Sequence, residues 1–250
     1  MMKKMRLADV PFGKNFEIWG HAYTVLDGDD KGVFVLETET VCEMPFREDE
    51  VDYKVAPNDF RDSSVRAYLE GRYTEGLVSA GAKLDEDILP MELDLKCTLG
   101  QHEYGVARVH AGLLTLEQYG KYYDIIPRID TIYWLATPWK TPSRSPGTSN
   151  TGGVWDVYSN GNCDNWIYSS TCGVRPALTL SPSLLVSVEC DEEEEVESKW
   201  HKYLEYLIHW AISHTSKSFA GCMPACYDEW LDSEGGAGVG KACEGDGGKE

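Results

Sequence analysis

Between Tyr133 and Leu180 the chain sets a polar insert between two apolar ends, and this arrangement constrains the fold more than any other feature. The opening end reads Tyr133-Trp134-Leu135-Ala136-Thr137-Pro138-Trp139, and the closing end reads Gly173-Val174-Arg175-Pro176-Ala177-Leu178. From Ser143 to Cys172 the residues are almost wholly Ser, Thr, Asn, Asp, Gly, Tyr, Trp and Cys. Such a composition suits a contact surface, because Tyr and Trp supply area at low entropy cost and small polar residues supply adaptable hydrogen bonds. It also suits a turn-rich β region, since Asn160-Gly161 is a hairpin signal. Composition alone leaves both readings open. On the first, the contact residues are Trp155, Asp156, Tyr158, Asn160, Asn162, Cys163, Asp164, Asn165, Trp166 and Tyr168.

The frame around this insert resembles the variable region of proteins diversified by retroelements in phages and gut bacteria. The G-V-R-P-A ending stands intact at Gly173 to Ala177, and Val154-x-x-Val157-x-Ser159-x-Gly161 is similar to the fixed scaffold between variable slots. Upstream, from Arg6 to Trp139, the chain resembles a phage and Firmicute domain family of unknown function that shares the W-L-x-T-P and G-V-R-P-A-L boundaries. The resemblance implies an α+β domain of C-type-lectin fold, the fold also used by formylglycine-generating enzymes. It further implies a ligand-binding role for the 143–172 region and a phage or prophage origin. In that family the last strand pairs with strands near the N-terminus and ties both ends of the variable loop.

The composition bounds the partners. A chain of 250 residues with 42% hydrophobic content can bury a sizeable core. Its formal charge of −19 argues against nucleic acid or an anionic membrane as partner, because phosphate binding needs clustered Lys and Arg. The expected partner is a protein or cell-surface ligand. No run approaches the roughly 18 apolar residues of a membrane span, and Leu7-Ala8-Asp9-Val10-Pro11 supplies no apolar core for a signal peptide. Cytoplasmic synthesis is expected, with a virion as one destination. In that compartment Cys42, Cys97, Cys163 and Cys172 are expected as free thiols.

Along the chain, alternation over Asn15–Leu26, a turn at Asp27–Gly32 and an apolar run at Val33–Leu36 predict a hairpin. Asp62-Ser63-Ser64 offers N-caps for a helix carrying Val65, Tyr68 and Leu69 on one face, which Gly71 and Gly76 should interrupt. A second helix is expected over Thr115–Tyr123, where Thr115 and Gln118 have capping-box spacing. The guanidinium of Arg175 can hold several carbonyls or a carboxylate. Trp134 and Trp139 are expected in the core, with their indole N–H groups available to loop carbonyls.

The lectin-like domain is thus expected over 6–181. Beyond it, 190–232 forms an acidic helical appendage, with seven carboxylates between Glu189 and Glu197 and an apolar face at Trp200, Tyr203, Leu204, Leu207, Ile208 and Ala211. A short following helix is expected over Pro224–Leu231, with Pro near its first turn. The appendage either docks on the main domain or binds a partner protein, and the Gly-rich 233–250 is expected to be disordered.

No nucleophile elbow or phosphate-cradling loop is present, and neither an enzyme nor a cofactor is expected. His209, His214, Cys222 and Cys226 are metal-ligand types whose spacing departs from standard fingers. Cys163 and Cys172 resemble in position the copper-binding pair of formylglycine-generating enzymes, without that family's surrounding residues. The readings carried forward are a ligand-binding variable protein, a structural or assembly protein of a phage particle, and a formylglycine-generating-like oxidase.

Overall fold

A computed structural model describes residues 2–49, 56–142, 149–189, 199–200 and 202–207. The chain divides into a compact unit Met2–Glu189 and a second unit over 190–250, together with Met1. The first unit opens with β1 (Met2–Arg6), β2 (Asn15–Ile18), β3 (His21–Gly28), β4 (Val33–Glu37) and β5 (Cys42–Pro45). Two short helices follow, α1 (Ser64–Tyr68) and α2 (Thr74–Ser79), joined without interruption by a π turn over Leu69–Tyr73. Next come β6 (Ile88–Leu89), β7 (Met91–Asp94), β8 (Val106–Val109), β9 (Ala111–Gly112) and helix α3 (Leu116–Tyr122). The remainder is β10 (Tyr133–Pro138), β11 (Gly153–Val157), β12 (Cys163–Ile167), β13 (Thr171–Val174), β14 (Ala177–Leu180) and β15 (Leu185–Glu189).

Among the described residues the architecture is mostly β with few helices, a mixed α+β fold dominated by antiparallel pairing. One sheet runs in the order β1-β15-β2-β3-β4-β14, and β6 and β9 share the free edge of β14. A second sheet runs β12-β11-β10-β13-β5, with one parallel contact at Tyr133↔Gly173. The strands β7 and β8 form a separate ribbon. Sequence-distant segments close the domain: β15 pairs with β1 and β2, and β14 pairs with β4. The single strand expected over Val174–Leu180 is two, because the chain leaves one sheet and joins the other at Arg175-Pro176.

Local signals explain the element ends. The Ser63 side chain accepts from the Arg66 N–H to start α1, and Thr115 and Gln118 complete both arms of the capping box on α3. The helix runs past Gly71 and Gly76 to Ser79, because Leu69, Tyr73 and Leu77 are buried and packing overrides the propensity loss. The alternating run Asn15–Leu26 is itself a hairpin, turning at Trp19-Gly20, where both residues have positive φ (53° and 80°). That is the backbone required by a two-residue hairpin loop of matching twist.

The core contains Phe16, Tyr23, Phe46, Phe60, Leu69 and Trp134, all fully buried. The Trp134 ring meets the Phe46 edge at 5.7 Å, and its indole N–H donates to the Met44 carbonyl at 3.0 Å, a carbonyl of strand β5 rather than of a loop. Trp134 is in the core as expected, whereas Trp139 is half-buried. Arg175 is also sealed in. Its Nε donates to Glu37 O (2.7 Å), Nη1 to Pro127 O (3.0 Å) and Nη2 to Thr38 O (2.9 Å), and the guanidinium lies 5.2 Å from the Tyr133 ring centre. The carbonyl-holding role read from sequence is the one observed. Gly173 has a steric reason to be glycine, since an added Cβ would overlap the Thr40 methyl and sit 3.1 Å from Ile132 O.

In the second unit, 199–200 and 202–207 are helical. Trp200 stacks on Tyr203 at 5.3 Å, Tyr203 stacks on Tyr206 at 6.1 Å, and Trp200 and Leu204 are exposed. The expected helix at Pro224–Leu231, the tail 233–250 and the residues His209, His214, Cys222 and Cys226 lie outside the described residues.

Candidate ligand-binding surface

The polar insert folds chiefly as the antiparallel hairpin β11–β12, at the edge of the second sheet. Its register pairs Gly153↔Ile167, Val154↔Trp166, Trp155↔Asn165, Asp156↔Asp164 and Val157↔Cys163. Strand alternation therefore puts Val154, Asp156, Asp164 and Trp166 on one face, with Trp134 of β10 beside Asp156. Gly153, Trp155, Val157, Cys163, Asn165 and Ile167 occupy the other. The positions 143–148 lie outside the described residues.

The tip is a tight turn. Tyr158 N–H donates to Asn162 O (2.8 Å), Gly161 N–H to Tyr158 O (2.8 Å) and Asn162 N–H to Asn160 Oδ1 (2.9 Å). Gly161 has φ +84°, which explains the Asn-Gly signal. The domain body grips this tip: the Tyr119 hydroxyl of α3 donates to Gly161 O (2.8 Å), and Arg128 Nη1 donates to Asn160 O (2.6 Å). At the other end, the Asn58 amide donates to both Lys140 O (3.0 Å) and Gly153 O (2.8 Å), while Tyr104 donates to its Oδ1 (2.7 Å). These supporting residues lie between 32 and 95 positions away from the atoms they hold. No local pattern points to them.

The sequence-predicted contact residues separate by depth. Asn160, Asn162, Asp164 and Trp166 are exposed, and Tyr158, Cys163, Asn165 and Trp155 are half-buried. Asp156 and Tyr168 are buried, and Tyr168 belongs to the core cluster. Tyr168 is thus withdrawn from any surface by the strands it packs against, with its backbone paired to Gly152 and Arg47. On the exposed side the Trp166 indole N–H donates to the Tyr158 hydroxyl (2.7 Å), with the rings edge-to-face at 6.3 Å. On the opposite face Trp155 packs at 4.9 Å from Trp139, and its buried indole N–H has no partner.

Asp156 is electrostatically unusual. It is fully buried and neither carboxylate oxygen has a hydrogen-bond partner. Burial first, and the negative charge of Asp164 second, push its carboxyl up to about 7. Burial also raises the thiols of Cys163 and Cys172, the latter to about 12, with Asp156 adding to both. Alternation places those thiols on opposite faces of the sheet, so they do not converge on one ion. Cys42, Cys97, Cys163 and Cys172 carry free thiols. Among the described residues, no group of three or more His, Cys, Asp or Glu side chains is placed to hold a metal, and no helix is long and apolar enough to cross a membrane.

Comparison of the chain with protein-family models, curated proteins and solved structures gives no match.

Proposed function

We propose that this chain is a ligand-binding protein of C-type-lectin fold, a phage- or prophage-derived variable protein of a diversity-generating retroelement, and that the β11–β12 hairpin is its contact surface. One observation carries the reading. The hairpin offers Asn160, Asn162, Asp164 and Trp166 to solvent, while the strands behind it are sealed by Trp134, Val174 and Arg175. A surface built to be exchanged needs a frame that does not depend on it, and the buried groups form such a frame. Pairing of β14 with β4 supports the closure by the final strand that is expected of a lectin-like domain.

The test is genetic and physical. A near-identical template repeat beside a reverse-transcriptase gene, differing mainly at adenines, is the expected neighbour of the coding sequence. A library randomised at Asn160, Asn162, Asp164 and Trp166 should fold as the parent does and yield new binders on selection. General misfolding of that library would overturn the reading.

A second reading, a structural or assembly protein of a phage particle, is favoured by the exposed Trp200 and Leu204 of the helical 199–207 segment. Under it, removal of 190–250 would abolish incorporation into particles while hairpin substitutions would not.

A further inference from the structure

The inference rests on the hairpin reading above and names what that surface takes. The hairpin face that carries Asp156 runs from core to solvent. At its inner end Trp134 is sealed and committed to Met44 O. At its outer end Trp166 is 36% exposed and locked to Tyr158 by their hydrogen bond and edge-to-face contact. Between these ends, two carboxyls stand directly opposite one another at Asp156↔Asp164. Like charges opposed across a strand pair are destabilising, and a buried carboxyl without a donor is more so.

Among the described residues no group resolves this conflict. The exposed Asp164 accepts at Oδ1 from the Asn165 backbone N–H (2.8 Å) and, at longer range, from its side-chain amide (3.4 Å). Neither oxygen of Asp156 has a partner. The titratable groups around Asp156 are Asp164 and Cys163 from β12 and Cys172 from β13, with Glu43 of β5 acting on Cys172. None of them is basic. At the tip, Arg128 is held by Asn160 O and the Tyr123 hydroxyl.

We propose that Asp164, the Trp166–Tyr158 ring pair and the underlying Asp156 form a subsite for an organic cation, the ammonium or guanidinium of a lysine or arginine side chain on a protein ligand. Asp164 supplies the charge-assisted hydrogen bond, and the ring faces supply cation–π attraction. Asp156 is sealed and acts through its charge. A cation seated on Asp164 favours the ionised form of Asp156, so binding transfers the Asp156 proton to buffer. The formal charge of −19 draws basic segments toward the protein and repels acidic ones.

The experiment uses the full chain with 15N-labelled tryptophan, the Trp166 indole resonance being assigned through Trp166→Phe. The probes are Nα-acetyl-lysine methylamide and its neutral counterpart Nα-acetyl-norleucine methylamide. The lysine probe should move the Trp166 resonance and the norleucine probe should not. Asp164→Asn should weaken that response about tenfold or more. Calorimetry at pH 7 in two buffers of different ionisation enthalpy should show proton release on lysine binding. That release should be absent in Asp156→Asn, a near-isosteric variant whose fold is checked by circular dichroism and melting.

An unmoved Trp166 resonance, an equal response in Asp164→Asn, or equal action by norleucine would overturn the proposal. If neutral peptides act at Trp166 with no advantage for lysine, the cation subsite falls while the hairpin surface stands. The surface itself is judged separately, by folding of the randomised library.

Discussion

Replacing Asp156 by Asn removes one titration while preserving size, so it isolates the electrostatics of the hairpin floor. In the unfolded chain this carboxyl titrates near 3.8, and in the fold near 7. Each unit of that difference corresponds to about 1.36 kcal/mol, for an upper value of about 4 kcal/mol. Asp164, the second and smaller cause of the shift, faces solvent, and screening there brings the expected effect to about 3 kcal/mol. Between the two values the folded state binds more protons than the unfolded state, so stability falls as pH rises. The contribution is fully present below about pH 4 and is lost as pH passes through about 7. Denaturant unfolding of wild type and Asp156→Asn from pH 4 to 8.5 measures it. Glu37, raised by burial despite its bonds from Tyr73 and His21, adds a slope of the same sign. Asp27, lowered by Lys121, adds the opposite. Both act equally in the two proteins and cancel in the difference. The buried Asn amide costs a constant amount that shifts one curve without tilting it. A difference between the curves that stays flat across this range, or rises with pH, would refute the reasoning.

Trp134→Ala should cost roughly 3–5 kcal/mol and Tyr168→Ala at least about 2 kcal/mol, whereas Asn162→Ala should stay within about 0.5 kcal/mol. Thermal unfolding of the three variants checks this ordering, and an equal loss in all three would make the hairpin tip part of the core. Arg175→Met should cost about 3 kcal/mol or more, because the Glu37, Thr38 and Pro127 carbonyls each lose a donor. Arg175→Lys should recover only part of that stability, because one ammonium cannot span three acceptors; full recovery would show the fork to be dispensable. Alkylation under native conditions, followed by mass spectrometry, should label half-buried Cys42 and Cys163 before buried Cys97 and Cys172. Cys172, with its thiol pushed up to about 12, should react last.

The elements that were legible in the sequence are those whose causes lie within a few residues. Ser63 and Thr115 begin helices because they satisfy N–H groups three positions ahead, and Asn160-Gly161 turns because glycine accepts positive φ. The positions that were not legible depend on distant segments. The turn at Trp19-Gly20 splits what reads as one alternating strand, since pairing with β15 and β4 on its two sides dictates the register. The helix continues through Gly71 and Gly76 because its apolar face is already committed to the core. Asp156 and Asp164 are the same residue type in the same polar insert and meet across one hairpin, yet one is sealed and the other solvated. Composition treats them alike. Their difference arises because β10 and β13 bring Trp134 and Cys172 to the inner strand, whereas β12 is the edge strand of its sheet. The caps, the turn and the need for a buried frame have local or compositional causes. The tertiary structure alone decided which carboxyl lost its water, because desolvation is set by neighbours far away in the chain.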